Sequence, residues 1–354
     1  MQISPETQLF IREHQTDDVR ALALQARKYP NVDMPTAITQ IAGRQVAAEK
    51  IPSWRDTDDI WYPKHLSLEQ CSSEVTARYK ATLLKGNSLT DLTGGFGIDC
   101  AFLATKFKSA IYVERQQELC EIAAHNFPIL NLNHINVKNE DGVSYLQAMS
   151  PVDCIFLDPA RRNEHGGKTV AISDCEPDVA ELEELLLNKA GQVMVKLSPM
   201  LDLSLALKEL QHVQEVHIIS ANNECKELLL ILGQASAEEI SIHCVNLPTR
   251  GAQEEQHFVF TREQEQCSEC NYTNALENYL YEPNASLLKA GAFRSIASAF
   301  PVKKLHPNSH LYTSDVLVES FPGRAFHIIS QCSLNKKGTK RKSRRLEKSK
   351  YHST

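Results

Sequence analysis

The sequence predicts an α/β protein built on a mostly parallel sheet with helices on both faces. From Ser88 onward, short apolar segments typical of buried strands alternate with segments typical of helices, which is the pattern of parallel strands joined by helical crossovers. Two later strand-like segments, Val213–Ser220 and Glu227–Leu232, lie close together in the chain. Because the linker Ala221–Lys226 is too short for a crossover helix, we expect the sheet to end in an antiparallel hairpin.

The N-terminal residues, 1–84, are predicted to form a mainly helical segment. Apolar residues recur there at helical spacing in three stretches, which are Asp17–Lys28, Met34–Lys50 and Leu66–Leu84. Both tryptophans, Trp54 and Trp61, lie in the loop between the second and third stretches. We expect a packed aromatic corner there, and the alternative is that the rings stack on a bound base.

The central residues, 85–235, carry the alternating strands and helices. The expected strands before the hairpin are Ser88–Leu92, Ala110–Glu114, His134–Lys138, Asp153–Leu157 and Gln192–Leu197. The expected helices are Ile98–Thr105, Gln116–Asn126, the stretch ending at Leu146, Ala180–Leu187 and Ser204–Leu210. Ligands of such sheets bind outside the carboxyl ends of the strands, near the point where the strand order reverses. We therefore expect the functional site at that edge.

The following residues, 236–334, are predicted to form a small α/β C-terminal domain. Its expected elements include the strands Ile240–Val245 and His257–Thr261 and the helix Phe293–Phe300. Cys267 and Cys270 have a metal-like spacing, but no second pair follows at the distance of a zinc site. We therefore expect no metal.

Composition favours a cytoplasmic protein. Of its 354 residues 42% are apolar, which allows a sizeable core, yet no apolar run reaches the roughly 20 residues that span a bilayer. The stretch Met1–Glu6 lacks the basic and apolar regions of a signal peptide. The ten cysteines are scattered singly, which is typical of reduced core residues. No membrane partner is expected.

The net charge of −6 conceals a strongly basic tail, residues 335–354. Lys336–Lys350 holds nine Lys and Arg residues against one Glu, so the remainder of the chain is strongly acidic. A solvated end that aids solubility is one interpretation. The density of arginine favours contact with RNA, because binding to phosphates depends mostly on charge.

A glycine-rich turn, Asp91–Gly97, follows the first predicted strand. Gly94, Gly95 and Gly97 carry no Cβ, so their backbone amides can approach a ligand closely. Asp91 is placed to accept a hydrogen bond from an amine or a water. Tight packing of strand against helix is the alternative explanation of the glycines.

Acidic residues stand at the ends of the next three strands. Glu114 occupies the position from which a carboxylate binds both ribose hydroxyls of a nucleoside, and capping of the following helix is its alternative role. Asp141 is placed to accept from an adenine amino group. Asp158 is followed by Pro159, which fixes the backbone beside the expected reactive end of the cofactor.

The order of the glycines separates two classes of cofactor. A dinucleotide-binding turn needs G-x-G-x-x-G, and this chain has Gly-Gly-Phe-Gly-Ile-Asp instead. Asp99, just after the turn, would repel a pyrophosphate but not a sulfonium cation. The residues therefore favour S-adenosylmethionine (SAM) over NAD.

These motifs resemble those of class I SAM-dependent methyltransferases over Ser88–Leu232. The resemblance implies a Rossmann-like seven-stranded sheet with a terminal antiparallel hairpin. It also implies cofactor contacts from Asp91, Thr93, Gly94, Gly95, Phe96, Gly97, Asp99, Glu114, Arg115, Asp141, Gly142 and Asp158. Glu282–Ser286 and Leu305–Leu311 resemble, less specifically, the C-terminal THUMP-like domain of bacterial RNA-methyltransferase-like proteins. That second likeness implies RNA binding by the C-terminal domain.

One motif departs from the family pattern. Methyltransferases of exocyclic base amines usually carry Asp/Asn-Pro-Pro-aromatic, where the ring stacks on the flipped base. This chain keeps Asp158 and Pro159 but has Ala160 and Arg161 instead. Arg161 and Arg162 are suited to stack on a base or bind a phosphate, and a surface pair is the alternative. Asp158, Pro159 and Arg161 are thus the catalytic candidates, while the methylated atom stays open.

The function predicted from these features is SAM-dependent methylation of a base in structured RNA, either tRNA or rRNA. One alternative is methylation of a small molecule or a protein, with the C-terminal domain serving structure or dimerisation. Another is a non-catalytic RNA-binding protein that keeps SAM only as part of its fold.

Overall fold

The structure is a computed structural model that describes residues 3–161, 171–235, 238–248 and 254–331. The chain forms two compact units that divide after Arg262. The basic tail, the side chain of Arg161 and all of Arg162 lie outside the described residues. In the part of the chain described, no helix is both long enough and apolar enough to cross a membrane.

The first unit alternates helices and strands along most of its length. Its helices are α1 (Pro5–Glu13), α2 (Val19–Leu24), α3 (Met34–Lys50), α4 (Pro52–Arg55), α5 (His65–Gln70), α6 (Glu74–Lys80), α7 (Ile98–Ala104), α8 (Gln117–Ile129), α9 (Gly142–Ala148), α10 (Val179–Lys189) and α11 (Leu203–Glu209). Its strands are β1 (Ser88–Asp91), β2 (Ser109–Glu114), β3 (Ile135–Asn139), β4 (Val152–Leu157), β5 (Ala160–Arg161), β6 (Cys175–Glu176), β7 (Ala190–Leu197), β8 (Val213–Ala221), β9 (Glu224–Gly233), β10 (Ser241–Leu247) and β11 (Gln256–Thr261).

Within the described residues, nine of these strands form one sheet in the order β11-β10-β8-β9-β7-β4-β1-β2-β3. Strands β3, β2, β1, β4 and β7 are parallel to their neighbours in that series. The chain proceeds from β1 outward to β3 and then returns to continue from β4 in the opposite direction. The strand order therefore reverses between β1 and β4, which is where a ligand site is expected.

The predicted antiparallel hairpin is confirmed. Strand β9 pairs with β8 on one side and with β7 on the other, antiparallel in both cases. Strands β8 and β9 are joined through Asn222 and Asn223, whose φ angles are +51° and +62°. Left-handed residues at both central positions are typical of a two-residue hairpin turn, and asparagine tolerates them well.

The sheet extends further than the seven strands expected. Strand β10 pairs in parallel with β8 from Ser241 to Leu247, and β11 adds to β10 antiparallel. These two strands, expected in the C-terminal domain, belong instead to the first unit. The physical reason is that β8 would otherwise be an edge strand with unpaired backbone groups, and β10 satisfies them.

The N-terminal helices share the core of the first unit. Helix α3 has the predicted bounds, and Asp33 caps it by accepting from the Thr36 amide at 3.3 Å. The single helix predicted over Leu66–Leu84 is instead two helices, because Ser73 caps a new one through the Thr76 amide. Trp54 is buried and its ring contacts that of Phe96, with centroids 5.1 Å apart. The aromatic corner therefore packs directly beneath the glycine-rich turn.

The second unit contains a small antiparallel sheet with short helices. Near its start lies α12 (Arg262–Cys267), followed by β12 (Tyr279–Pro283), α13 (Ala285–Ala290), α14 (Ser295–Ala299), β13 (Lys303–Lys304), β14 (Tyr312–Ser314) and β15 (Gly323–His327). The described strands pair in the order β13-β14-β12-β15. Asn284 begins α13 by accepting from the Ser286 and Leu287 amides, and Gly291 ends it in the left-handed conformation. A separate C-terminal unit with its own sheet and helices is thus present, and its four described strands are not the two that were expected there.

Candidate functional site

A cavity of about 760 Å³ opens at the carboxyl ends of β1, β2, β4 and β7. It lies where the strand order reverses, as the sheet topology requires. It brings together most of the predicted site residues, which are Asp91, Thr93, Gly94, Gly95, Phe96, Gly97, Asp99, Glu114, Arg115, Asp141, Gly142, Asp158 and Pro159. The remaining candidate, Arg161, lies in β5, where it is the register partner of Cys175 in the antiparallel strand β6.

The glycines of the turn have two distinct roles. At Gly94 a Cβ would lie 2.2 Å from a ring carbon of Tyr112, so this glycine is needed for close packing. Gly95 and Gly97 have φ angles of +55° and +89°, a region that favours glycine. A Cβ on Gly95 would meet nothing nearer than the Thr93 carbonyl at 3.8 Å. Gly95 therefore leaves open space in the cavity wall, while Gly94 serves packing.

Asp91 presents a buried acceptor without a protein partner. Its Oδ1 accepts from the Thr93 amide at 3.0 Å, whereas its buried Oδ2 has no hydrogen-bond partner among the described residues. Burial raises the pKa of Asp91 well above its ordinary value. Since buried polar atoms are nearly always satisfied, this oxygen fits an amine or a water delivered with a ligand.

Glu114 holds both the start of the following helix and the glycine turn, while its predicted binding of ribose stays a prediction. Its Oε1 accepts from the Gln116 amide at 2.8 Å, as a residue before a helix does, and its Oε2 accepts from the Gly95 amide at 2.9 Å. Each carboxylate oxygen keeps a second lone pair. The side chain therefore fixes the glycine turn and still offers acceptors to a ligand in the cavity.

Two further predicted residues lie towards the outer part of the cavity. Asp141 is exposed, and its Oδ1 caps α9 through the Ser144 amide at 2.9 Å. Arg115 forms an exposed ion pair with Glu176 at 3.2 Å. Because Asp141, Arg115 and Glu176 all line the cavity, its wall carries charged groups of both signs there.

Asp158 is tied to both neighbouring strand ends. Its amide donates to Thr93 Oγ1 at 2.6 Å, which joins the loop after β4 to the glycine turn after β1. Its Oδ2 contacts Lys196 Nζ at 2.5 Å. Desolvation raises the pKa of Asp158, while Lys196 acts to lower it. Although burial opposes the charge on Lys196, Asp158 and Asp99 raise the pKa of that lysine. The two side chains thus form a partly sheltered ion pair in the wall of the cavity.

Sequence reasoning missed the cations of this site. Lys80, on α6, is fully buried and contacts Asp99 at 2.9 Å, Glu227 at 2.6 Å and Ser72 at 2.8 Å. Lys196 lies at the carboxyl end of β7, and the acids were identified from the same position on their own strands. It could therefore have been predicted from the sequence. Lys80 gave none, because its partners are remote in the sequence.

Asp99 has a different role from the one predicted. Its carboxylate accepts from Ser72 at 2.7 Å and is held by Lys80, with Lys196 at 3.6 Å. Although burial alone would raise it, these lysines lower the pKa of Asp99. Asp99 is therefore an ionised member of a buried charge cluster, and its charge is matched by protein cations rather than left for a sulfonium.

The cavity nevertheless fits SAM. The acidic groups Asp91, Glu114 and Asp158 are distributed along it, and one of them keeps an unpaired oxygen. A cofactor with an ammonium, ribose hydroxyls and a sulfonium complements such a wall, whereas a pyrophosphate would meet repulsion from the same carboxylates.

The strand order, the β8–β9 hairpin and the cavity at the reversal point define the class I SAM-dependent methyltransferase fold. A solved structure from Porphyromonas gingivalis W83, described as a "putative methyltransferase", is 37% identical in sequence, with a TM-score of 0.81. The match covers 92% of this chain and 81% of that one. The chain belongs to the same family as this protein.

Two family models match separate parts of the chain. The model of protein-L-isoaspartate(D-aspartate) O-methyltransferase matches residues 49–163, and a model described as a ferredoxin-like domain matches residues 279–322. The C-terminal match is thus to a ferredoxin-like domain, and the THUMP-like resemblance stays a prediction. No curated protein matches the sequence.

Two further solved structures match at lower similarity. A protein from Streptococcus mutans in complex with SAH is 15% identical and covers 45% of this chain and 96% of its own, with a TM-score of 0.33. An rRNA methylase from Streptococcus thermophilus is 15% identical and covers 46% of this chain and 95% of its own, also with a TM-score of 0.33. Matches of this quality carry no information about the substrate of this chain.

Proposed function

We propose that the protein is a SAM-dependent methyltransferase that modifies a base in structured RNA, tRNA or rRNA. The observation that carries the catalytic part is the Asp158–Lys196 ion pair in the wall of the cavity that also holds the glycine turn, Asp91 and Glu114. Cofactor-binding groups and a reactive acid therefore share one cavity.

Different residues of the cavity would hold different parts of SAM. Glu114 would bind the ribose, Asp141 the adenine amino group, and the open Oδ2 of Asp91 an amine or its water. SAM supplies an activated methyl group on a sulfonium. Because the methyl is already activated, most of the catalytic work is to position the acceptor atom in line with it.

Asp158 would orient the acceptor and take its proton. Its ion pair uses Oδ2, which leaves Oδ1 for a hydrogen bond from the substrate. Desolvation raises the pKa of this carboxyl, and Lys196 opposes that by stabilising the ionised, proton-accepting form. The Thr93 hydroxyl fixes the backbone beside it. Lys196 therefore acts as a positioning residue for Asp158.

Two features support RNA as the substrate. The basic tail concentrates nine Lys and Arg residues in Lys336–Lys350 on an otherwise acidic chain, and such density suits contacts with phosphates. Asp158-Pro159 also keeps the first half of the motif by which base-amine methyltransferases hold the amine. A THUMP-like C-terminal domain would add a second RNA-binding surface.

A protein substrate is the second candidate, favoured by the match to the O-methyltransferase family model over residues 49–163. That segment includes the glycine turn and Asp158 but ends before Lys196. It therefore describes mainly the cofactor-binding half of the site, and we rank this candidate below RNA.

The proposal is tested by methyl transfer with the full-length protein. Labelled SAM is incubated with total RNA from a strain lacking the gene, and RNA nucleosides are analysed by mass spectrometry. The wild type is expected to methylate one nucleoside. Asp158→Ala is expected to bind SAM normally in calorimetry and to lose transfer by about 10²–10⁴-fold, the usual contribution of a positioned acid or base.

The control variant is Asp58→Ala, which removes an exposed carboxylate outside the cavity and should change neither measurement. If the wild type binds neither SAM nor SAH at micromolar concentration, the enzyme assignment is wrong. If label enters only protein or small molecules, the RNA assignment is wrong. Loss of SAM binding in Asp158→Ala would show that the reactive end of the site is misplaced.

A further inference from the structure

A cluster of histidines lies on the added part of the sheet, away from the cofactor cavity. His217 on β8 and His243 on β10 are register partners, and their rings stack with centroids 4.4 Å apart. His257 on β11 continues the row, with its Nε2 3.2 Å from His243 Nδ1. None of these residues lines the cavity. The proposed methyl transfer therefore does not explain the cluster.

An acidic side chain completes the cluster. Glu215, two residues before His217 on the same face of β8, places its Oε2 3.2 Å from His217 Nε2. One ligand atom each from Glu215, His217 and His243 lies within 4.8 Å of the other two. Among the described residues, this is the one group of three such side chains with that spacing.

The donor atoms are those that zinc prefers, and one pair of them already has the spacing of zinc ligands. Zinc binds imidazole nitrogen and carboxylate oxygen at about 2.0–2.2 Å in tetrahedral geometry, which places neighbouring ligand atoms roughly 3.3–3.5 Å apart. The Glu215–His217 pair is already close to that separation. The three ligand atoms lie within 4.8 Å of one another, so the half-buried His243 ring has to move by up to roughly 1.5 Å to reach that spacing. It also has to rotate out of its stack on His217, because each imidazole lone pair lies in the plane of its ring.

The hydrogen bonds of the two imidazoles leave the required nitrogens available. His217 Nδ1 lies 2.9 Å from the hydroxyl of Tyr79 on α6, so its Nε2 can present a lone pair towards Glu215. His243 Nδ1 is engaged by His257, which leaves its own Nε2. Metal-binding histidines characteristically use their second nitrogen in this way, because the outer hydrogen bond fixes the tautomer and the ring.

We propose that Glu215, His217 and His243 bind one divalent transition-metal ion, for which zinc is the best match. Tyr79 and His257 orient the two imidazoles. The ligands come from β8 and β10, and the orienting tyrosine comes from α6. The bound ion therefore cross-links β8 to β10, and the hydrogen bond between Tyr79 and His217 connects α6 to the site.

The test uses the full-length protein after removal of metal with a chelator. Zinc binding is measured by equilibrium dialysis with elemental analysis, and Co²⁺ serves as a spectroscopic probe of tetrahedral N/O coordination. The wild type is expected to bind one ion per chain at micromolar concentration and to gain thermal stability from it. His243→Ala and Glu215→Gln, at a half-buried and an exposed site, should fold normally and lose this binding.

Two further variants distinguish an organised metal site from nonspecific zinc binding. Tyr79→Phe, which removes only the orienting hydroxyl, is expected to weaken zinc binding about 10–100-fold. The matched control is His212→Ala, which breaks a His–Glu pair of the same 3.2 Å length with Glu183. It should leave zinc binding unchanged. Failure of the wild type to bind one equivalent, or retention of binding in His243→Ala, would overturn the proposal.

Discussion

Lys80 shows how much of this site depends on single buried charges. The ammonium group is fully buried and is matched by two carboxylates, Asp99 and Glu227. Asp99 follows the glycine turn, and Glu227 lies on β9. One cation from the N-terminal helices thus joins the cofactor loop to the hairpin strand. Its removal would leave two carboxylates buried with Lys196 as the remaining nearby cation.

We predict that Lys80→Met destabilises the protein by about 3–5 kcal/mol, the usual result of removing one partner from a buried ion pair. Urea unfolding followed by circular dichroism measures the change. Lys64→Met is the matched control, because Lys64 pairs with Glu118 at 3.0 Å but is 76% exposed. Exposed pairs contribute about 0–1 kcal/mol. Equal losses in the two variants would contradict the role assigned to Lys80.

At the scale of the element, the turn between β1 and α7 contains one glycine needed for packing and another that faces the cavity. Gly94 faces the ring of Tyr112, and Gly95 faces the cavity. The two neighbouring glycines of this short turn therefore have different roles. One fixes the turn against β2, and the other leaves room for the cofactor.

Alanine should destabilise the protein at both positions but should weaken SAM binding mainly at Gly95. Gly94→Ala introduces a Cβ 2.2 Å from an aromatic carbon and is predicted to destabilise folding by about 1–3 kcal/mol through overpacking. Gly95→Ala at φ +55° should cost only about 1–2 kcal/mol but weaken SAM binding about tenfold or more. Unfolding and calorimetry on both variants make the comparison. Unchanged SAM affinity in Gly95→Ala would exclude its place in the cofactor cradle.

Most elements of the sheet were predictable because their signals are local. The strands β1 to β4 and β7, and the β8–β9 hairpin, follow from apolar segments, glycine turns and a linker too short for a helix. Strand-end acids followed from the rule that ligands bind at the carboxyl edge. Asp91, Glu114 and Asp158 accordingly lie in one cavity.

What could not be predicted depends on interactions between distant parts of the chain. Lys80 and Glu227 are 147 positions apart, so no sequence window contains both. The break before α6 depends on Ser72 and Ser73, of which the first contacts Asp99. The metal-ligand cluster draws on β8 and β10, and therefore lacks the regular spacing that makes a zinc motif visible. The pair Cys267 and Cys270 had such a spacing, yet it does not belong to that cluster.

At the scale of the whole molecule, the charges of the chain are unevenly distributed. The nine Lys and Arg residues of Lys336–Lys350 belong to a chain whose total charge is −6. An acidic body repels RNA at long range, so under the proposed function the attraction would come from the tail. Recognition of a particular RNA would then depend on other surfaces, while the tail supplies affinity.

We predict that removing residues 335–354 weakens RNA binding about tenfold or more and flattens its salt dependence, without changing SAM affinity. For every phosphate that the shortened protein no longer neutralises, the slope of log K against log salt should fall by roughly 0.7–0.9. Filter binding across a salt series measures both effects. A variant of equal length with these Lys and Arg residues replaced by Gln is the control for chain length. It should behave like the truncation, and wild-type binding by it would refute the electrostatic role.

The insertion of β9 between β7 and β8 has a consequence for biosynthesis. Strand β7 emerges from the ribosome well before β9, and its edge stays unpaired until Glu224–Gly233 has been made. The carboxyl half of the sheet therefore cannot close progressively as the chain grows. Nascent chains that stop before β9 expose the apolar edge of β7, which is buried in the complete protein. Such nascent chains are therefore expected to aggregate more readily than the complete chain.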